Sequence, residues 1–180
     1  MKKSIIGGVT IGLMVLSLGE CGASSLSNDT ESQKIAQVDA VKHSYYAIQK
    51  IENPDLEVQL AAINQNEKAI EFIKNPDKET QLAAVKKNYT VIKFIKNPDK
   101  EVQLAAINQS RHAIQIIENP DKEVQLAAVM QSYLSIKFIK NPDKEVQLAA
   151  VNQSYNAIKY IENPVPEAVH LAYQKIRGEK

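Results

Sequence analysis

The stretch that decides the fold is NPDKEVQLAAVNQSYNAIKYIE, residues 141–162, because nearly the same phrase precedes it several times. Asn-Pro recurs at Asn53-Pro54, Asn75-Pro76, Asn97-Pro98, Asn119-Pro120, Asn141-Pro142 and Asn163-Pro164, always 22 residues apart. A divergent copy, ESQKIAQVDAVKHSYYAIQKIE, runs from Glu31 to Glu52 and makes six copies between Glu31 and Glu162. A fixed period of this length marks an architecture in which no unit buries its apolar face alone and stacking supplies a continuous core.

Each unit reads as two helices. Asn before Pro is a helix-start signal, with the Asn side chain as cap and proline at the first helical position. Asn53, Asn75, Asn97, Asn119 and Asn141 are therefore the expected caps, followed by acidic residues that suit the positive end of the helix dipole. The pattern breaks near Asn152-Gln153-Ser154, and Ser154 can cap a second, shorter helix through Ile161. The expected unit is a hairpin of about 11 plus 8 residues. The fold class is all-α: an α-solenoid of six stacked two-helix repeats over 31–162, with an atypical C-terminal capping helix over 163–180.

A rival reading makes each unit one unbroken lipid-surface helix of the apolipoprotein type. Val146, Ala150, Ala157 and Ile161 do gather on one side at about 100° per residue. Leu148, Val151 and Ile158 fall well round from them, whereas a lipid-surface helix shows a wide polar face. Two packed helices accommodate all of these residues. The paired alanines let neighbouring backbones approach, and Gln147 sits between two apolar faces. Glutamine holds that place in every copy, at Gln37, Gln59, Gln81, Gln103, Gln125 and Gln147. Half-buried amides need partners, so these are expected to form a ladder with backbone groups of adjacent units.

The N-P-x-x-x-V-x-x-A-A-V core resembles leucine-rich-repeat-variant and HEAT-like α-solenoids. It is also similar to bacterial repeat families built on E-V-Q-L-A-A-V, seen here at Glu57 to Ile63, Glu101 to Ile107, Glu123 to Val129 and Glu145 to Val151. The resemblance implies the architecture and protein–protein contact rather than a reaction; fold alone does not carry function. The departures lie where solenoids place caps: Glu31-Ser32 replaces Asn-Pro, and Asp39 replaces an alanine.

The N-terminus reads as an address. MKKSIIGGVTIGLMVLSLGEC has two lysines, then an apolar run from Ile5 to Leu18, the layout of a secretory signal over 1–21. Cys21 is the only cysteine and cannot make an internal disulfide. Leu18-Gly19-Glu20-Cys21 resembles a bacterial lipobox, which implies lipidation at Cys21 and a membrane-anchored place in the cell envelope. Glu20 stands where such boxes carry a small residue, so plain secretion and an uncleaved anchor remain open. The Ser-rich stretch 22–30 is expected to be a flexible tether.

Charge and motif content narrow the function. The chain has 22 Lys and Arg against 21 Asp and Glu, spread through every repeat, and so no electrostatic footprint for nucleic acid. Between Ala23 and Arg177 there is no glycine, hence no glycine-rich phosphate loop. His43, His112 and His170 fall at different repeat positions, without metal-ligand or acid–base spacing. No enzyme activity, cofactor, metal or small-molecule substrate is expected. The positions that vary between copies point to a binding strip instead. One reads Tyr45, Glu67, Tyr89, Arg111, Tyr133, Tyr155, and the next reads Tyr46, Lys68, Thr90, His112, Leu134, Asn156. Met130 stands where three of the six copies have Asn. Tyr and Arg anchor protein interfaces, so Tyr89, Arg111, His112, Met130, Tyr133, Leu134 and Tyr155 form the candidate face for another protein or peptide. The bland alternative is a solvated outer face, with the protein serving as a structural element of the envelope.

Overall fold

The computed structural model describes residues 24–178. Among them there is no strand. The α-helices are α1 Ser24–His43, α2 Leu56–Gln65, α3 Lys78–Lys87, α4 Lys100–Gln109, α5 Lys122–Gln131, α6 Lys144–Gln153 and α7 Pro166–Arg177. Between successive α-helices lie the 3₁₀ helices η1 Tyr45–Lys50, η2 Glu67–Phe72, η3 Tyr89–Phe94, η4 Arg111–Gln115, η5 Tyr133–Phe138 and η6 Tyr155–Tyr160. Each α-helix packs on the next, and each 3₁₀ helix lies against the α-helix that follows it. The 3₁₀ helices also pack in sequence from η1 to η3 and from η4 to η6. The result is an all-α solenoid of two layers. Its seam is filled by one repeating set of side chains, such as Val102, Ala106, Ile107, Ala113 and Ile114, all essentially sealed from water.

The second helix of the hairpin is 3₁₀ rather than the expected α. Geometry gives the reason. Ten α residues advance about 15 Å, and six α residues would return only about 9 Å. Six 3₁₀ residues return about 12 Å, closer to the outward leg. The short leg opens on an extended cap, as at Ser154 (φ −155°), and closes through bonds such as Ile161 N–H to the Ile158 carbonyl at 3.3 Å.

The caps are also displaced from the expected Asn residues. The N-caps of α2 to α6 are Asp55, Asp77, Asp99, Asp121 and Asp143. Proline precedes the cap instead of opening the helix. Asn53, Asn97, Asn119 and Asn141 take φ between 48° and 51°, the left-handed region that Asn tolerates better than other side chains. Asparagine thus makes the turn into the proline, and Asp two residues later starts the helix. Only Asp55 closes a side-chain cap, accepting from Val58 N–H at 3.0 Å.

One further expectation changes. α1 begins at Ser24, so residues 24–30 of the expected tether are helical. Once the packed part of α1 has nucleated, each added residue gains one backbone bond, and neither glycine nor proline interrupts the run. The unbroken lipid-surface helix is not formed, since α6 stops at Gln153 and Ser154 turns the chain. The signal segment and Cys21 lie outside the described residues. α7 closes the stack and ends on Gly178 at φ 71°, whose N–H reaches the Lys175 carbonyl at 3.4 Å.

Candidate functional site

Three ladders of polar side chains fix the stack. The first is built from glutamines. Gln59, Gln81, Gln103, Gln125 and Gln147 each donate Nε2–H to the proline carbonyl five residues earlier, at 2.9 Å in every case. Their Oε1 atoms turn to the next copy. Gln59 accepts from Asp77 N–H at 3.0 Å, Gln103 from Asp121 N–H at 3.4 Å, and Gln147 from Val165 N–H at 2.8 Å. The Oε1 atoms of Gln81 and Gln125 are buried without a partner, so every second rung is half made.

A second ladder closes the far end of the α layer, where the last residue of a helix reaches back to the previous one. Gln109 Nε2–H donates to the Lys86 carbonyl at 2.7 Å, Gln131 to Ile107 at 2.9 Å and Gln153 to Met130 at 2.9 Å. Lys87 does the same with its ammonium, to Ile63 and Asn64 at 3.1 and 2.7 Å. These carbonyls have no intrahelical donor, so the next copy satisfies the helix end. The third ladder is ionic and solvent-facing: Lys34 with Glu57 at 2.5 Å, Lys78 with Glu101, Lys100 with Glu123 at 2.7 Å, Lys122 with Glu145, and Lys144 with Glu167 at 2.5 Å. The lysine hydrogen bonds hold the Glu101 and Glu167 carboxyls below their usual range, and the carboxylates push the Lys78, Lys100 and Lys122 ammoniums up. Sequence reading missed the last two ladders. Both were signalled by residues that recur one repeat apart, or one repeat plus one.

The predicted binding residues other than Met130 fall at one end of the 3₁₀ layer. Tyr89, Arg111, Tyr133 and Tyr155 open η3 to η6 and so recur once per copy. His112 and Leu134 follow by one position. Arg111, His112, Leu134 and Tyr155 are exposed, and Met130, near the end of α5, is 73% exposed. Tyr89 and Tyr133 are half-buried against the core, and their backbone N–H groups donate to Gln109 and Gln153. His112 pairs its Nδ1 with Gln115 Nε2 at 3.1 Å. In the first copy the Tyr46 hydroxyl pushes the Tyr45 phenol up to about 12, and both rings meet Phe72 of the next copy, at centroid distances of 6.3 and 5.5 Å.

A second row closes the 3₁₀ helices and was not anticipated: Phe72, Phe94, Ile116, Phe138 and Tyr160, again 22 residues apart. Phe94, Phe138 and Tyr160 are 36%, 40% and 45% exposed. Lys93 lies over the Phe94 ring at 4.8 Å and Lys137 over Phe138 at 4.6 Å. Three recesses of about 700, 800 and 570 Å³ open beside this row, between copies three and four, four and five, and five and six. Among the described residues no group of three or more His, Cys, Asp or Glu is placed to hold a metal ion. No helix there is long and apolar enough to cross a membrane. Comparison with protein-family models, curated proteins and solved structures found no match for this chain.

Proposed function

We propose that this chain is a non-catalytic recognition module: an α-solenoid that binds another protein or peptide outside the cytoplasm and is held at a bacterial membrane through lipidated Cys21. One observation carries the reading. The α layer is nearly the same in copies two to six and is tied up in its own ladders, whereas the 3₁₀ layer varies and leaves Arg111, Leu134, Phe94, Phe138 and Tyr160 open to solvent. Exposed aromatic and arginine side chains arrayed along a rigid stack are the side chains from which binding energy is drawn. The location rests on the leader and lipobox-like residues, and metabolic labelling with palmitate that is lost in Cys21→Ala is its expected signature.

The test is a pull-down from envelope extract with the full-length protein, beside Arg111→Ala/Tyr133→Ala/Leu134→Ala and, separately, Phe94→Ala/Phe138→Ala. A partner captured by the parent and lost with either variant supports recognition. Capture of nothing by a folded parent moves the reading to a structural envelope element, for which the ladders between copies are the supporting feature.

A further inference from the structure

The three recesses share walls. Those between copies three and four and between four and five have Lys93, Ile116 and Glu118 in common, and the next shares Phe138 and Lys140. They form one trough along the stack, with Phe94, Ile116, Phe138 and Tyr160 set into it once per copy. Helices pack about 8–10 Å apart, so side chains that recur once per packed copy are expected at about that spacing. A polyproline II chain has three residues per turn and rises about 3.1 Å per residue, so it repeats every ~9.3 Å. The two periods are of the same size. An α-helical ligand repeats every ~5.4 Å and would lose register within two copies. Aromatic-lined grooves are the surfaces to which polyproline II segments dock, because the ligand is pre-extended and loses little entropy.

The charges along the trough sharpen the match. Copies three and five carry the same run, Lys93-Phe94-Ile95-Lys96 and Lys137-Phe138-Ile139-Lys140, while copies four and six carry Glu118 and Glu162 at the matching last position. Asp99 and Asp121 line the first recess from the helix side, where they cap α4 and α5. Lysine pairs therefore recur every second copy, which is every sixth residue of a ligand that spends three residues per copy. Resting on the reading of the protein as a peptide-recognition module, we infer that the trough takes an extended proline-rich segment in the polyproline II form. Every third residue of that segment sits on the Phe94–Tyr160 row, and acidic residues six apart meet the lysines of copies three and five.

The probe is a synthetic peptide, Pro-Glu-Ala-Pro-Ala-Ala repeated twice and closed by Pro, titrated into the full-length protein by calorimetry. Controls are a peptide of the same length and charge with proline at every fourth residue, and the first peptide with Lys for Glu. Expected are binding of the first peptide, at least tenfold weaker binding of both controls, and at least tenfold loss in Phe94→Ala/Phe138→Ala. Lys93→Glu/Lys137→Glu, which leaves the core untouched, is expected to abolish the preference for the acidic peptide. Its melting curve should match that of the parent. Equal binding of the two proline spacings overturns the register while leaving peptide recognition standing. Failure of all three peptides, with an envelope partner still captured by pull-down, overturns the trough inference alone. Failure of both overturns the inference and the recognition reading together.

Discussion

The third copy, residues 75–96, and the sixth, residues 141–162, share one topology and satisfy their buried polar groups differently. In the sixth, Val146 fills the core, and Gln147 both donates to Pro142 and accepts from Val165. Gln153 closes the far end of α5, and Lys144 reaches Glu167 in α7. In the third, Thr80 takes the valine position, and its buried hydroxyl has no partner. The Gln81 carbonyl is buried and unpaired as well, and Leu56 stands where a lysine would meet Glu79. Lys87 offsets part of this by reaching two carbonyls of α2. Stability in a repeat array is close to a sum of unit and neighbour terms, so such differences stay local. Among the interior copies, the third is therefore expected to open first.

The largest expected effect comes from breaking the better rung. Gln147→Leu leaves the Val165 N–H and the Pro142 carbonyl without partners and is expected to cost about 2–3 kcal/mol. Gln81→Leu removes one bond and one unpaired oxygen together and is expected to cost about 1 kcal/mol or less. Urea unfolding of the two variants, side by side, checks the ranking, and equal losses would remove the distinction between the rungs. Next in size, Thr80→Val deletes an unsatisfied hydroxyl at nearly constant volume and is expected to raise stability by about 1 kcal/mol. A fall in the urea midpoint would show that Thr80 has a use this account misses.

The smallest effects are ionic. Leu56→Lys supplies the missing rung to Glu79 and is expected to change the melting curve little, because exposed pairs contribute little. Glu101 and Glu167 already lie below their ordinary 4.5. A depressed folded-state value means a stabilising contribution that is full above about pH 4.5 and is lost as pH falls through the lowered value. The raised lysines act in the opposite sense: their share is full below their ordinary 10.5 and is lost as pH rises beyond it. The acid-side loss is expected to shrink in high salt.

Much of the fold was legible because its signals are local and repeated. Asn-Pro and Ser154 marked both turns, and a glutamine fixed between two apolar faces announced a ladder. Whether the return leg is α or 3₁₀ was not legible, since six residues of mixed pattern fit either; the span of the neighbouring helix decides. The cap was misplaced because Asn and Asp both favour that role, and only the backbone shows Asn141 in the left-handed region at φ 48°. For the surface, the row opening the 3₁₀ helices was found through its variation between copies. The row closing them was overlooked because Phe94, Ile116 and Phe138 look like core residues until the short helix leaves them part exposed.

Residue-resolved amide hydrogen exchange tests the central claim, that glutamine rungs between copies hold the stack and do so unevenly. The Asp77 and Val165 amides, bonded to Gln59 and Gln147, are predicted to exchange slowly. The amides of Asp99 and Asp143 stand at equivalent positions opposite the unpaired Gln81 and Gln125 oxygens and are predicted to exchange much faster. Uniform rates at all four positions would contradict the account.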